Sequence, residues 1–213
     1  MSYAEARDPV RGAQMAAYLR DQFDCLGITM PRRRAIDRRV LAGVPKPDEA
    51  ALGTIARACW ELPEREYQYF ATDQLVRHAA RLSAGFLPTA EHLITTRSWW
   101  DTVDPLATRV VGSLVTRHRE LVAVMDAWIG SPNLWLVRTA LLHQLNYKTD
   151  TDAVRLFRYC RTQAGHRDFF VRKAIGWALR QYARTDPDAV RRFVADNELS
   201  PLSVREATKH LKM

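Results

Sequence analysis

The most unusual stretch of the sequence is residues 98–105, SWWDTVDP. Two adjacent tryptophans there precede two aspartates: Trp99, Trp100, Asp101 and Asp104. Neighbouring residues of an α-helix point about 100° apart, so both tryptophans cannot enter one narrow core stripe. We expect one ring to face inward and the other to face sideways or outward. A partly exposed tryptophan beside a carboxylate is a candidate functional site. Two tryptophans packed between neighbouring helices would satisfy the same pattern.

The two aspartates also have an ordinary structural interpretation. Asp101 and Asp104 are three residues apart, so they share a face if the segment is helical. Asp101 is placed to cap the helix that follows. Asp104 precedes Pro105 in the first turn, where the helix dipole stabilises a carboxylate. A capping role therefore stays open for each beside a chemical one.

Several kinds of chemistry have no motif in this chain. It contains no Walker A loop, dinucleotide fingerprint, HExxH motif, zinc spacing or helix-hairpin-helix signature. The histidines are scattered, which favours surface or packing roles, at His78, His92, His118, His143, His166 and His210. The cysteines are odd in number and far apart, at Cys25, Cys59 and Cys160. We expect no disulfide, no metal site and no cofactor, and buried or idle thiols in a cytoplasmic protein.

The charge favours a polyanionic partner. The formal net charge is +8 and the isoelectric point about 9.7, which suits DNA or RNA. An arginine-rich proteome would give the same balance. The arginines of 32–34 and 38–39 could contact phosphates or form a solvated face. No apolar run reaches the ~20 residues of a membrane span, and the first residues contain no apolar signal segment. We expect a cytoplasmic protein that associates with the nucleoid by binding DNA.

The elements that position these residues are predicted to be helices. Apolar residues recur at helical spacing, while hairpin turns and alternating strand patterns are missing. Proline or a small acceptor residue opens each predicted helix. The predicted starts lie at Pro31, Pro47, Pro63, Pro88, Pro132, Asp150, Asp168, Asp186 and Ser203. About a dozen helices result, with no flexible linker between them, so we expect one domain over 1–213.

A weak internal repeat connects the helices. Three Val-Arg pairs end at Arg138, Arg172 and Arg205, with separations of 34 and 33 residues. Stepping back from Arg138 by 34 residues reaches Asp104, and by a further 36 reaches Gln68. A period of ~34 residues built from two helices indicates an α-solenoid. We expect these positions to form a row near the starts of the second helices. The row is either a basic track that holds a duplex by its phosphates or a set of ordinary bonds between repeats.

Six strings along the chain belong together: MAAYLRDQFDCLGI (15–28), CWELPEREYQ (59–68), TTRSWWDTVD (95–104), NLWLVRTALLHQLNYK (133–148), FFVRKAIGWALRQYARTDP (169–187) and LSPLSVREATKHLK (199–212). These strings resemble one family, the bacterial DNA alkylation repair glycosylases of the HEAT-like repeat type, or AlkD family. They cover nearly the whole chain in the family's order. The resemblance implies an all-α solenoid of about six HEAT-like helix pairs that forms a concave DNA-binding cleft.

The resemblance also implies an activity. Members hydrolyse the N-glycosidic bond of cationic N3- and N7-alkylated purines in duplex DNA, such as 3-methyladenine and 7-methylguanine. They are thought to do so without flipping the base, which implies tolerance of bulky adducts. The implied enzyme is a monofunctional glycosylase that needs no cofactor, and a monomer is the default state.

The family's functional positions are matched in this chain. The resemblance implies that Asp104 is the catalytic carboxylate and that Trp100 and Trp177 line the cleft beside it. It implies that Arg138 and Tyr18 contact DNA. The repeat adds Arg172 as a DNA-binding candidate, at a position where similar sequences vary.

Two other functions fit the same helical scaffold. A non-catalytic protein that recognises DNA structure would keep the basic surface, although the presence of Asp104 argues against it. A protein–protein scaffold would show no DNA affinity and salt-insensitive binding, whereas binding to phosphates weakens steeply with salt.

Overall fold

A computed structural model describes residues 2–211 of the chain, and these form helices and turns without a strand. A single parallel bridge between Asp24 and Glu64 is the β contact found among them. The chain divides into two compact units, 1–81 and 82–213, each described by itself below. The all-α fold class is therefore confirmed.

The first unit contains four α-helices. They are α1 (Pro9–Tyr18), α2 (Met30–Val40), α3 (Glu49–Glu61) and α4 (Arg65–His78). Buried side chains from the N-terminal turn, the α1–α2 loop and α2 form a core at Tyr3, Ala6, Leu26, Ile28 and Ile36. The fully buried carboxylate of Glu66 on α4 accepts hydrogen bonds of 2.8–3.1 Å from the backbone N–H groups of residues 26–28. It thereby satisfies a loop that has no secondary-structure partner of its own.

The second unit carries the remaining helices. They are α5 (Leu87–Thr95), α6 (Trp100–Pro105), α7 (Gly112–Arg117), α8 (Val122–Trp128), α9 (Leu134–Leu142), α10 (Ala153–Thr162), α11 (Phe169–Tyr182), α12 (Pro187–Asp196) and α13 (Pro201–Thr208). A π-helical turn, Leu106–Val111, joins α6 to α7 into one continuous helix. Counted in this way, residues 2–211 form twelve helices in six successive pairs, as predicted.

The second helices of successive pairs pack side by side within this unit. The helix 100–117 contacts α9, α9 contacts α11, and α11 contacts α13. The first helices, α8, α10 and α12, pack against the second helix of their own pair. Positions one repeat apart in the sequence therefore lie on neighbouring helices, which is the packing of a helical repeat.

Most predicted helix starts agree with the structure, and two are wrong. Asp150 ends a 3₁₀ turn, and the N-cap of α10 is Asp152, whose carboxylate accepts a hydrogen bond from the backbone N–H of Arg155. Ser203 lies inside α13, whose N-cap is Ser200. In both cases a second acceptor residue stands close by, and a pattern of residue types does not distinguish neighbouring acceptors.

The π turn requires side-chain support from the next repeat. Its wider winding leaves backbone carbonyls outside the α-helical bonding pattern. The amide of Asn146 donates to the carbonyl oxygen of Thr108 at 3.0 Å, and the hydroxyl of Tyr147 donates to that of Gly112 at 2.7 Å. The side chains that follow α9 therefore fix the path of the helix 100–117.

A close contact between two helices involves Gly176 of α11. A Cβ atom at this position would lie 2.5 Å from the Cβ of Glu206 and 2.7 Å from the carbonyl oxygen of Ser203 on α13. Real Cβ atoms do not approach this closely, so the absence of a side chain at Gly176 permits α11 and α13 to touch.

We predict that Gly176→Ala lowers the free energy of unfolding by about 1–3 kcal/mol, the usual cost of overpacking, even though alanine favours helix. Thermal or urea unfolding measures the change. Gly165→Ala is the matched control, because a Cβ there meets nothing within 4 Å; its effect should stay below about 1 kcal/mol. Equal stability of the two variants would contradict the close contact.

All three cysteines are buried and reduced, as expected. Burial raises the pKa of the Cys59 thiol to about 11 and raises that of Cys160 further. These thiols are therefore protonated at neutral pH and unreactive. Within the described part of the chain, no helix combines the length and the hydropathy that crossing a bilayer requires.

Candidate active site

An ion pair between two neighbouring repeats lies at the centre of the candidate site. Asp104 on α6 and Arg138 on α9 face each other, with Nε to Oδ1 and Nη2 to Oδ2 distances both of 2.7 Å. The side chain of Asp104 is 15% exposed and that of Arg138 is 4% exposed. This bidentate geometry matches the guanidinium fork to both carboxylate oxygens, which is the strongest form of such a pair.

A third bond holds the guanidinium from the other side. Nη1 of Arg138 donates to the carbonyl oxygen of Phe170 at 2.5 Å, in the first turn of α11. An arginine has five N–H donors, and three are used here, so two remain on the terminal nitrogens. Each oxygen of Asp104 likewise keeps a lone pair outside the ion pair. The Asp104 carboxylate is thus fixed by Arg138, whose guanidinium group is itself bonded to α6 and α11.

An aromatic cluster packs beside this pair. The ring centroids of Trp99, Trp135 and Phe170 lie 5.0–5.9 Å from one another, in tilted and edge-on arrangements. The indole Nε1 of Trp99 is buried without a hydrogen-bond partner. Trp99 is the N-cap residue of α6 and has extended backbone angles, φ −156° and ψ 158°. The cluster therefore joins the start of α6 to the starts of α9 and α11.

The two predicted cleft tryptophans are partly exposed. Trp100 is the first residue of α6 and stands four residues before Asp104, so the two share a helix face. Trp177 lies on α11, seven residues after Phe170, and about two turns separate them on one face. Asp101 lies inside α6, where its carboxylate accepts a hydrogen bond from the backbone N–H of Thr102, so it is not an N-cap.

The five equivalent residues of the predicted row occupy a common position within their helices but have different roles. Each of the five is the fourth or fifth residue of its helix. Asp104 and Arg138 bond to each other between repeats. Gln68 is buried and donates to the carbonyl oxygens of Cys59 and Leu62, where α3 ends. The alternative of bonds between repeats is thus the observed arrangement for Asp104 and Arg138, whereas Gln68 bonds within its own helix pair.

The other two arginines of the row are less enclosed. Arg172 is partly exposed on α11, its Nε is buried without a partner, and its carbonyl oxygen accepts a bond from the hydroxyl of Ser203. Arg205 is exposed on α13. Tyr18, the remaining predicted contact, is the last residue of α1 in the first unit and is 71% exposed.

Burial raises the pKa of Asp104 above the ordinary value of an aspartate. The hydrogen bonds and the positive charge of Arg138 oppose this rise, and the negative charge of Asp101 adds to it. A carboxyl with a raised pKa takes up a proton at a higher pH than usual. The ionised form of Asp104 therefore disappears earlier than that of an exposed aspartate as the solution is acidified.

We predict that an activity which needs the Asp104 carboxylate declines on acidification with an apparent pKa above about 3.9, the ordinary aspartate value. Asp101→Asn should move this decline to lower pH, because a neighbouring negative charge is removed. Single-turnover rates between pH 4 and 8, corrected by enzyme-free blanks, measure both effects. A decline that stays in place after Asp101→Asn would show that another group controls it.

The spacing of aromatic residues in the sequence is a signal for two members of this cluster, Trp135 and Phe170. Trp100, Trp135 and Phe170 are spaced by 35 residues, close to the repeat period, so aromatic rings recur at the starts of α6, α9 and α11. By contrast, the carbonyl of Phe170 that binds Arg138 has no signal in residue types, because every residue carries a carbonyl.

The chain matches proteins linked to DNA repair. The family described as DNA alkylation repair enzyme matches over residues 2–211. A solved structure of a predicted DNA alkylation repair enzyme from Enterococcus faecalis is 32% identical over 96% of both chains, with a TM-score of 0.88.

Two more distant solved structures share the fold. AlkD2 from Streptococcus mutans is 16% identical over 94% of this chain and 99% of its own, with a TM-score of 0.66. The protein smu.31 from Streptococcus mutans UA159 is 16% identical over 84% and 92%, with a TM-score of 0.64. A comparison with curated sequences finds no match. From the family match and the 32% identical structure, the chain belongs to the DNA alkylation repair enzyme family.

Proposed function

We propose that the protein is a monofunctional DNA glycosylase, which hydrolyses the N-glycosidic bond of cationic N3- and N7-alkylated purines in duplex DNA. The observation that supports this proposal is the bidentate pair of Asp104 and Arg138, which holds a carboxylate in a fixed, largely dry position. Asp104 is the proposed catalytic residue.

The proposed reaction needs few protein groups beyond this carboxylate. An N3- or N7-alkylated purine is already positively charged, so the base leaves with the bonding electrons as a neutral molecule and needs no general acid. The sugar then develops oxocarbenium character at C1′. A fixed anion lowers the energy of that cation, because it does not have to reorganise as the charge appears. Water adds to C1′ and releases a proton, which leaves an abasic site.

The neighbouring residues have supporting roles in this proposal. Trp100 and Trp177 present electron-rich ring faces to the deoxyribose and its developing charge. Arg138 holds Asp104 and offers its two remaining N–H groups to a phosphate beside the lesion. Arg172 and Tyr18, both with exposed surface, are proposed contacts to the DNA backbone. A neutral lesion leaves poorly and should react slowly.

The test is base release from a duplex that carries one 7-methylguanine. The expected result is free 7-methylguanine, detected by chromatography, and a strand that breaks only after treatment with alkali. Without release, retained and salt-sensitive binding of the duplex would indicate a non-catalytic DNA-binding protein. Absence of both release and binding would leave the protein–protein scaffold.

A further inference from the structure

A basic groove lies on the helix 100–117, beyond the candidate active site. It has a volume of about 390 Å³ and is lined by parts of this helix and of the segment after α9. Three cationic side chains line it, from Arg109, Arg117 and Lys148, and no aspartate or glutamate does. Thr108, Thr116 and Asn146 add polar groups to the lining. Such a concentration of positive charge and hydroxyl groups suits an anion.

The groove has a fixed floor. The π turn forms part of it, the side chain of Asn146 bonds to a carbonyl of that turn, and the side chain of Tyr147 bonds to the carbonyl of Gly112 directly after it. Arg117 is anchored, because its Nη2 donates to the carbonyl oxygen of Leu82 at 2.7 Å. Arg109 and Lys148 are exposed, and neither has a carboxylate within ion-pair distance among residues 2–211. Their charge is therefore not neutralised by an ion pair with any residue of 2–211.

The groove lies on the same continuous helix as Asp104. Asp104 precedes the π turn by two residues, and Arg109 lies within this turn, five residues after Asp104. The hydroxyl of Thr108 donates to the carbonyl oxygen of Asp104 at 2.8 Å. At about 1.5 Å per residue, positions 108–117 lie roughly 6–20 Å from Asp104 along the helix. With a rise of about 3.4 Å per nucleotide, that distance corresponds to roughly two to six nucleotides.

We infer that this groove binds backbone phosphates of the DNA duplex, about two to six nucleotides from the position held at Asp104. The inference rests on the proposed function for the identity of the anion. Arg109 and Lys148 neutralise phosphate charge there, whereas Arg138 acts at the lesion itself. These contacts set the register of the duplex and carry no sequence information.

The experiment measures how the affinity for DNA depends on salt. Each neutralised phosphate contributes about 0.9 to the slope of log K against log salt concentration. Arg109→Gln combined with Lys148→Gln should reduce the slope by about 2 on damaged and undamaged duplexes alike. The matched control is Arg191→Gln with Arg192→Gln, which removes two exposed charges from α12. Thermal unfolding checks that both variants fold.

The readouts separate this inference from the proposed glycosylase. In single-turnover base release, the groove variant should need a higher protein concentration than wild type to reach saturation, because phosphate contacts away from the sugar affect binding. A slope reduced only in the groove variant supports the inference, even if the wild-type protein releases no base. A slope that is unchanged, or reduced equally in the α12 variant, overturns the inference and leaves any observed base release standing.

Discussion

Replacement of Asp104 by asparagine is expected to slow release of 7-methylguanine by about 10²–10³-fold, which corresponds to about 3–4 kcal/mol of transition-state stabilisation. Asparagine keeps the shape and one acceptor oxygen but removes the charge that opposes the cationic sugar. Affinity for undamaged duplex should change little, since the loss concerns the transition state. Single-turnover kinetics at saturating protein give the chemical rate directly.

A control must separate lost chemistry from a broken ion pair. Asp126 on α8 provides it, because its carboxylate accepts bonds from Arg155 and from the hydroxyl of Tyr159 on α10. Asp126→Asn therefore also breaks an arginine–aspartate pair between helices. It should lower stability while base release stays within about twofold of wild type. If Asp104→Asn and Asp126→Asn slow release equally, the effect of the first variant is structural.

The second large effect is expected at Arg138. Arg138→Gln leaves Asp104 buried without its counter-charge, and removing one partner of a buried pair typically costs about 3–5 kcal/mol of stability. For a chain of this length, that cost corresponds to a fall in melting temperature of roughly 10 °C. Base release should also fall, because the unpaired Asp104 carboxyl would acquire a proton at higher pH. Arg138→Lys should rescue little, since an ammonium group cannot form the two-pronged contact.

A double-mutant cycle tests how Arg138 acts. If it acts through Asp104, the double variant Asp104→Asn with Arg138→Gln releases base no more slowly than Asp104→Asn alone. If its remaining N–H groups bind a substrate phosphate independently, the two losses add. Additive losses would contradict a role through Asp104 alone and favour the additional phosphate contact predicted from the resemblance.

The fold could be predicted from the sequence to the level of helix pairs. Helical spacing and helix caps depend on residues that are close in the chain, so a local sequence pattern can predict them. Asp168 is an example, because its carboxylate accepts a hydrogen bond from the backbone N–H of Phe170. The separation of 34 residues between Asp104 and Arg138 also carried real information. Equivalent positions of a repeat lie on adjacent helices, and these two proved to be bonded.

Other parts of the site could not be predicted because they depend on angles within single turns. The period of 35 residues relates Trp100 to Trp135, yet Trp99 packs against Trp135 and Phe170. The extended backbone of Trp99 directs its ring there, and residue types do not encode that conformation. The π turn at 106–111 is likewise invisible in the sequence, since its residues also suit an ordinary helix.

The π turn has a consequence for how the helix 100–117 can relax. Winding the same residues as a regular α-helix would rotate residues 112–117 by about 100° relative to residues 100–105. Gly112 now faces α9 so closely that a Cβ there would lie 2.5 Å from the carbonyl oxygen of His143. After such a rotation Val111 or Ser113 would present a side chain at that contact, so steric exclusion holds the less favourable winding in place. If the turn were one residue shorter, it could wind as a regular α-helix while residues on either side of it still faced the same neighbours. The packing of this helix therefore constrains the number of residues in the turn.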